Sequence, residues 1–240
     1  MTTTIPDLLA RRLAEDPGGP LVTFYDDASS ERTELSATTY ANWLAKNANL
    51  LVEELDLAAG DLLLVDLPAH WLVPVLLGAA WSAGVAVTTD PDQGHDAVVC
   101  GPDSVASYAA AGGTVLACSL RPFATPFAEP LPPGVVDHGT AWPGQSDVFL
   151  GLDPVTPDTP AWVDADGAPG HALLVEAAAE AALAGRTRVL TDRHPASGRG
   201  VPLLLAPLLA GGSLVLVRHP DAEGWEHRAE QEQASLVLRA

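Results

Sequence analysis

Ala161-Trp162-Val163-Asp164-Ala165-Asp166-Gly167-Ala168-Pro169-Gly170 runs directly into the apolar stretch His171–Ala184. An apolar segment, a glycine turn and a helix-forming run stand here in the order with which α/β proteins hold phosphate, the amides of the turn and of the helix N-terminus facing the anion. The chemistry of such a loop is missing. Asp164 and Asp166 sit where an anion would have to approach, and the stretch has no Lys or Thr to offset them. The stretch therefore announces a fold, and it announces no activity.

Outward from it toward the C-terminus, the pattern reads strand near Pro160–Val163, helix His171–Ala184, strand Thr187–Thr191, helix Val201–Ala210, strand Ser213–Val217, helix Asp221–Gln233 and strand Ser235–Leu238. Toward the N-terminus lie a first helix over Ile5–Asp16, ended by Pro17-Gly18-Gly19-Pro20, and a hairpin of Leu21–Tyr25 with Arg32–Leu35. Ser36 then caps a helix whose Tyr40, Trp43, Leu44, Leu51 and Leu55 recur at helical spacing. Asp61–Leu67, Trp71–Ala83 and the run through Val87 form a βαβ unit, and Ala97–Cys100, Ser104–Ala110 and Thr114–Ser119 repeat the plan. Residues 121–160 carry nine of the 21 prolines and little periodicity, so they read as a long connection with one short helix near Trp142–Leu150. The expected organisation is a first α/β lobe over residues 1–120, the Pro-rich connection 121–160, and a second, incomplete α/β lobe over 161–240. Apolar strands alternating with helices predict a three-layer α/β fold, mostly parallel sheets with helices on both faces.

The chain has 240 residues, 48% hydrophobic and 18% charged, the composition of a compact protein. Its net charge is −19, with Lys46 and eleven arginines against 31 carboxylates, a field that repels phosphodiester backbones and anionic lipid. Nucleic acid and membrane surfaces are disfavoured as partners. Cys100 and Cys118 make no disulfide framework and no metal-ligand spacing, and read as free packed thiols of a cytoplasmic protein. Residues 1–20 show neither a secretory signal nor a transit peptide. The apolar windows Leu72–Val87 and Val201–Val217 approach the length of a membrane span, but Pro and Gly divide each into helix, turn and strand.

Four stretches in register resemble the N-terminal part of the adenylate-forming superfamily, which contains the acyl-CoA synthetases, luciferases and adenylation domains of peptide synthetases. They are Pro20–Tyr25 with Glu31–Tyr40, Gly60–Leu67 followed by Pro68-Ala69-His70, Leu76–Val87, and Ala206-Pro207-Leu208-Leu209-Ala210-Gly211-Gly212-Ser213-Leu214-Val215-Leu216. In the family, the segment matching Ala161–Gly170 reads roughly Tyr-Ser-Ser-Gly-Thr-Thr-Gly-x-Pro-Lys-Gly and grips ATP phosphates. Here Gly167, Pro169 and Gly170 match, and His171 stands at the Lys or beside it. The resemblance implies a truncated N-terminal domain with a degenerate phosphate loop. The family's adenine motif, its ribose-binding Asp and the domain with the catalytic Lys would lie beyond Ala240. A pentavalent phosphoryl transition state needs positive charge or Mg²⁺ held in place, so adenylation is not expected, and no catalytic set is assigned.

Other constellations yield to plainer readings. Asp192, His194 and Ser197 lie in one loop and lack a Gly-x-Ser-x-Gly elbow, so a triad is not expected. His194 before Gly198 resembles the family's Phe-His-x-x-Gly segment, which makes it a candidate relic of an acyl-pocket wall. Asp90, Asp92 and Asp96 with Gly94 and His95 lack the bidentate Glu of a calcium loop, and no metal site is assigned. Trp43, Trp71 and Trp81 read as core, Trp225 as an interface residue, and the Glu-rich helix Asp221–Gln233 as a solvated face.

The candidate nucleotide-binding residues are thus Asp164, Asp166, Gly167, Gly170 and His171, in a loop expected to have lost the function. The leading expectation is a non-catalytic relative of the acyl-CoA synthetases, a small-molecule-binding or protein-interaction module without a cofactor, which self-associates as a homodimer or docks a protein partner. The alternative is a ligase half completed in trans, holding ATP or AMP with Mg²⁺ bridging Asp164 and Asp166. A third reading is a structural protein with no ligand.

Overall fold

Leu63 and Leu64 are neighbours in the chain, and both are fully buried. Successive strand residues point to opposite faces, so a strand buried at both positions is covered on both sides. The computed structural model describes residues 3–151, 153–197 and 201–240, and in it two mostly parallel five-stranded sheets are combined with helices in an α/β fold.

The chain divides into two compact units that do not follow sequence order. One runs to Ala41 and adds Ala69–Pro74 and Ala172–Ala240, while the other holds Asn42–Pro68 and Val75–His171. The boundaries expected at residues 120 and 160 follow the chain instead. The difference arises from pairing, because β1 (Pro20–Asp26) bonds in parallel to β9 (Ser213–Arg218), nearly 200 residues on.

In the first unit, α1 (Ile5–Glu15) begins with a reciprocal cap: the Thr4 hydroxyl accepts from the Asp7 amide and the Asp7 carboxylate accepts from the Thr4 amide. β1 and β2 (Glu31–Ser36) form the expected antiparallel hairpin. With β8 (Arg188–Thr191) and β10 (Leu236–Leu238) the sheet order is β10-β8-β9-β1-β2. Helix α7 (Val201–Leu209) contains Pro207 and packs on α1 and β9. The turn after α7 brings the chain so close to Thr187 that a Cβ on Gly212 would stand 1.9 Å from the Thr187 carbonyl oxygen, which only glycine allows. α8 (Trp225–Gln231) is shorter than the run Asp221–Gln233. Trp225 is buried against Leu190, Val215 and Val217 and is not an exposed interface residue.

In the second unit, the sheet order is β4-β3-β5-β6-β7 and every pairing is parallel. β3 (Leu62–Asp66), β4 (Ala86–Thr88), β5 (Ala97–Cys100) and β6 (Thr114–Ala117) fall where the apolar runs put them. Ser36 caps α2 (Ala37–Glu53) by accepting from the Thr39 amide. α3 (Leu72–Ser82) is buried nearly all round, and α4 (Val105–Ala111) is short. The Pro-rich stretch is more structured than its composition implies. It carries a 3-10 turn at Pro122–Ala124, the edge strand β7 (Val135–Asp137), the short helix α5 (His138–Ala141) and a second 3-10 turn at Trp142–Gly144. Three residues after Pro132-Pro133-Gly134 are too few to show a period, so β7 is invisible in the pattern. α6 (His171–Ala179) ends earlier than the expected Ala184.

Candidate functional site

The segment 159–171 is a narrow hairpin laid on the sheet of the second unit. Val87 donates its amide to the Ala161 carbonyl, and Val163 donates to the Val87 carbonyl, so Trp162 pairs with the edge of β4. The expected strand Pro160–Val163 is thus reduced to isolated bridges. Ala161 and Trp162 both donate to the Pro169 carbonyl, and His171 donates to Thr159, which folds the segment back on itself. The Trp81 indole donates to the Ala161 carbonyl at 2.7 Å. Where the returning arm passes Pro157 and Asp158, a Cβ on Gly170 would meet the Pro157 carbonyl oxygen at 2.8 Å, so glycine is required by close approach.

The tip is a two-residue turn, Ala165-Asp166, between Asp164 and Gly167, whose backbones bond to each other in both directions at 3.0 and 3.2 Å. Gly167 takes a φ of +144°, open to glycine and strained for other residues. One Asp164 carboxylate oxygen accepts from the Trp162 indole at 3.0 Å, and the other accepts from the Asp166 amide at 2.9 Å. The amides of Asp164, Asp166 and Gly167 are therefore bonded within the turn. Asp166 is exposed, and His171, the first residue of α6, is wholly buried.

His194 belongs to the first compact unit, while the turn belongs to the second. Its Nδ1 accepts from the Ala196 amide and its carbonyl accepts from the Ser197 hydroxyl. Asp192 accepts from the Ala240 amide, and Arg193 donates to the Arg239 carbonyl, so this loop ties the ends of β8 and β10 together. The Asp192 carboxylate is thus engaged by the Ala240 amide and the Ser197 hydroxyl by a backbone carbonyl. Gly198, invoked beside His194, lies outside the described residues. The Asp90 carboxylate accepts from the Asp92 amide and the Asp96 carboxylate from the Leu62 amide at the start of β3, and no group of three or more His, Cys, Asp or Glu suited to a metal occurs among the described residues.

Cys100 and Cys118 are both fully buried. Burial, with the Asp66 charge behind it, pushes the Cys100 thiol up to about 12, so it is no nucleophile at neutral pH.

One polar cluster has no signature in the sequence pattern. Glu232, expected on a solvated face, is 7% exposed. It receives hydrogen bonds from the Tyr25 hydroxyl and Arg188, and Arg32 reaches it at 3.1 Å. Arg188 also donates to Ser213 and Thr23, and Arg32 to Glu34. Burial pushes the Glu232 carboxyl up, but the bonds from Tyr25 and Arg188 outweigh it and hold it below the ordinary range. These groups come from β1, β2, β8, β9 and the end of α8, and only the sheet order brings them together.

No family model matches the chain. A protein of the TIGR03089 family from Mycobacterium tuberculosis is 37% identical to it over 247 residues, covering 99% of this chain and 98% of that protein. Among solved structures, a Brucella canis acyl-CoA synthetase superposes with a TM-score of 0.79 at 16% identity, over 97% of this chain and 47% of its own. Acetoacetyl-CoA synthetase from Streptomyces lividans superposes with a TM-score of 0.78 at 19% identity, over 100% of this chain and 42% of its own. The chain thus spans about half the length of these synthetases and has the fold of their N-terminal part.

Proposed function

The chain belongs to the TIGR03089 family, and on that premise we propose that it is a non-adenylating relative of the acyl-CoA synthetases that works by binding, as a small-molecule-binding or protein-interaction module. The observation that carries this reading is the closed turn at Asp164–Gly167. In a phosphate loop, free backbone amides converge on the anion. In this turn the Asp164 carboxylate already occupies the Asp166 amide, and the Asp164 and Gly167 backbones satisfy each other. The loop supplies its own anion. A triphosphate would have to displace that carboxylate while approaching Asp166, with no Lys in the stretch to attract it, so the residues do not fit ATP.

The test is a thermal-shift titration with ATP and Mg²⁺, AMP, coenzyme A and acyl-adenylate mimics. A ligand at a hundred times its dissociation constant adds about 2.7 kcal/mol of stability, a shift of several degrees for a chain of this size. ATP and AMP are expected to leave the melt unchanged. A saturable shift with AMP or ATP that responds to Asp164→Thr and Asp166→Thr overturns the reading in favour of a ligase half completed in trans.

A further inference from the structure

The end of α2, the loop that follows it, the end of α3 and the residues Phe149, Leu150, Gly151 and Asp153 line a cleft of about 230 Å³ within the second compact unit. Val52, Leu57, Ala83 and Phe149 give it apolar walls. Leu150 completes the wall with 82% of its surface exposed, and Val148, two residues earlier, is 60% exposed. This segment is fastened in place, because the Asn49 amide on α2 donates to the carbonyls of Ser146 and Val148 at 2.9 and 3.1 Å. Apolar side chains held in water beside an apolar cleft gain from any ligand that covers them.

The polar groups of the cleft select the ligand. Asp56 and Asp153 line it, both are exposed, and neither carboxylate has a hydrogen bond or ion pair among the described residues. Among the described residues, no Lys, Arg or His lines it. Asp56 has a φ of +57° just after α2, a conformation that Asp tolerates better than most residues. Two unpaired carboxylates on an apolar cleft, in a chain of net charge −19, repel acyl carboxylates and phosphates and attract an ammonium group.

We propose that this cleft binds a small apolar amine, its alkyl or aryl part lying against Leu57, Phe149 and Leu150 and its ammonium held by Asp56 and Asp153. The proposal rests on the reading of the protein as a binding module, and it concerns residues distinct from the Asp164–Gly170 loop.

The test is titration of the whole chain with n-hexylamine and 2-phenylethylamine, followed by calorimetry and by chemical-shift changes, with hexanol and hexanoate as neutral and anionic controls. The amines should bind about five-fold more tightly than hexanol, as partly exposed ion pairs allow, and hexanoate should bind most weakly. Asp56→Asn with Asp153→Asn should abolish the advantage of the amine while leaving hexanol unchanged, and Leu150→Ser should weaken all three. Equal binding of hexylamine and hexanoate, an amine advantage that survives the double Asn variant, or no saturable response to any probe overturns the proposal. Nucleotide binding at the loop would overturn the non-adenylating reading and leave this cleft untouched, so the two failures are separable.

Discussion

The Asp164 carboxylate accepts a hydrogen bond from the amide of Asp166, two residues further on, at 2.9 Å. The turn is thereby locked by its own side chain, while the second oxygen anchors it to the Trp162 indole. Asp164→Ala removes both bonds and should cost about 1 kcal/mol, since a typical hydrogen bond contributes about that much net and the turn is partly exposed. Asp164→Asn keeps an oxygen for the Asp166 amide and should cost less. Urea denaturation ranks the two variants, and Trp162 fluorescence should shift in both, because the Asn NH2 that replaces the second oxygen cannot accept from the indole. Equal losses in both would mean that the bond to the Asp166 amide does not hold the turn.

Glu232 is nearly buried between Arg188 and Arg32, with the Tyr25 hydroxyl on the same oxygen as Arg32. Removing one partner of such a pair costs more than the pair contributes, because the other charge is left stranded. Glu232→Ala should destabilise by about 3 kcal/mol, moderated by the 43% exposure of the Arg32 side chain. Arg188→Met combined with Glu232→Ala should cost less than the sum of the two single changes, as residues in direct contact do. The folded-state carboxyl is held below its ordinary range, so its contribution is present at neutral pH and is lost as the pH falls through the folded value. The difference in stability between wild type and Glu232→Gln should therefore narrow in acid.

The elements legible in the sequence are those whose cause is local. The period of Tyr40, Leu44 and Leu51 makes α2, and the unbroken run Leu62–Val65 makes a strand buried on both faces. What was not legible depends on distant partners. Val135–Asp137 becomes a strand because β6 offers it an edge, and Glu232 is buried because Arg188 and Tyr25 arrive from other strands. The acidity of the candidate loop was legible, but the use of Asp164 as the acceptor for its own turn was not, since composition alone would place that carboxylate in solvent.

Gly212, between α7 and β9, lies hard against the backbone of Thr187 just before β8. A Cβ there would meet the Thr187 carbonyl at 1.9 Å and its carbon at 2.8 Å, both backbone atoms that cannot swing aside. Gly212→Ala should break the bond from Ser213 to Thr187 at the start of the β8–β9 pairing and cost more than about 3 kcal/mol, the class of effect produced by backbone overpacking. Gly18→Ala, with nothing within 4 Å, is the control and should be near neutral. Circular dichroism melts of the two variants make the comparison, and similar melting temperatures would contradict the crowding argument.

His138 begins α5 and lies 1% exposed, its Nε2 at 2.8 Å from the Asn47 Oδ1 on α2. Asn47 is itself wholly buried and donates to the Trp43 carbonyl. With Asn47 oriented by that bond, its oxygen faces the ring, so Nε2 carries the proton and the imidazole is neutral. Burial pushes His138 down to about 4. The unfolded chain binds this proton near pH 6.5, so between about 6.5 and 4 the unfolded state holds more protons than the folded one. Stability should be full above that window, fall as the pH drops through it, and lose roughly 3 kcal/mol across it. His138→Gln keeps a donor for Asn47 and removes the titration, so its stability should be flatter over the same window, with the acid loss from Glu232 confined to lower pH. Urea midpoints of both proteins at pH 7.5, 6, 5 and 4.5 separate the outcomes, and parallel curves would show that the imidazole titrates freely and is not held neutral against α2.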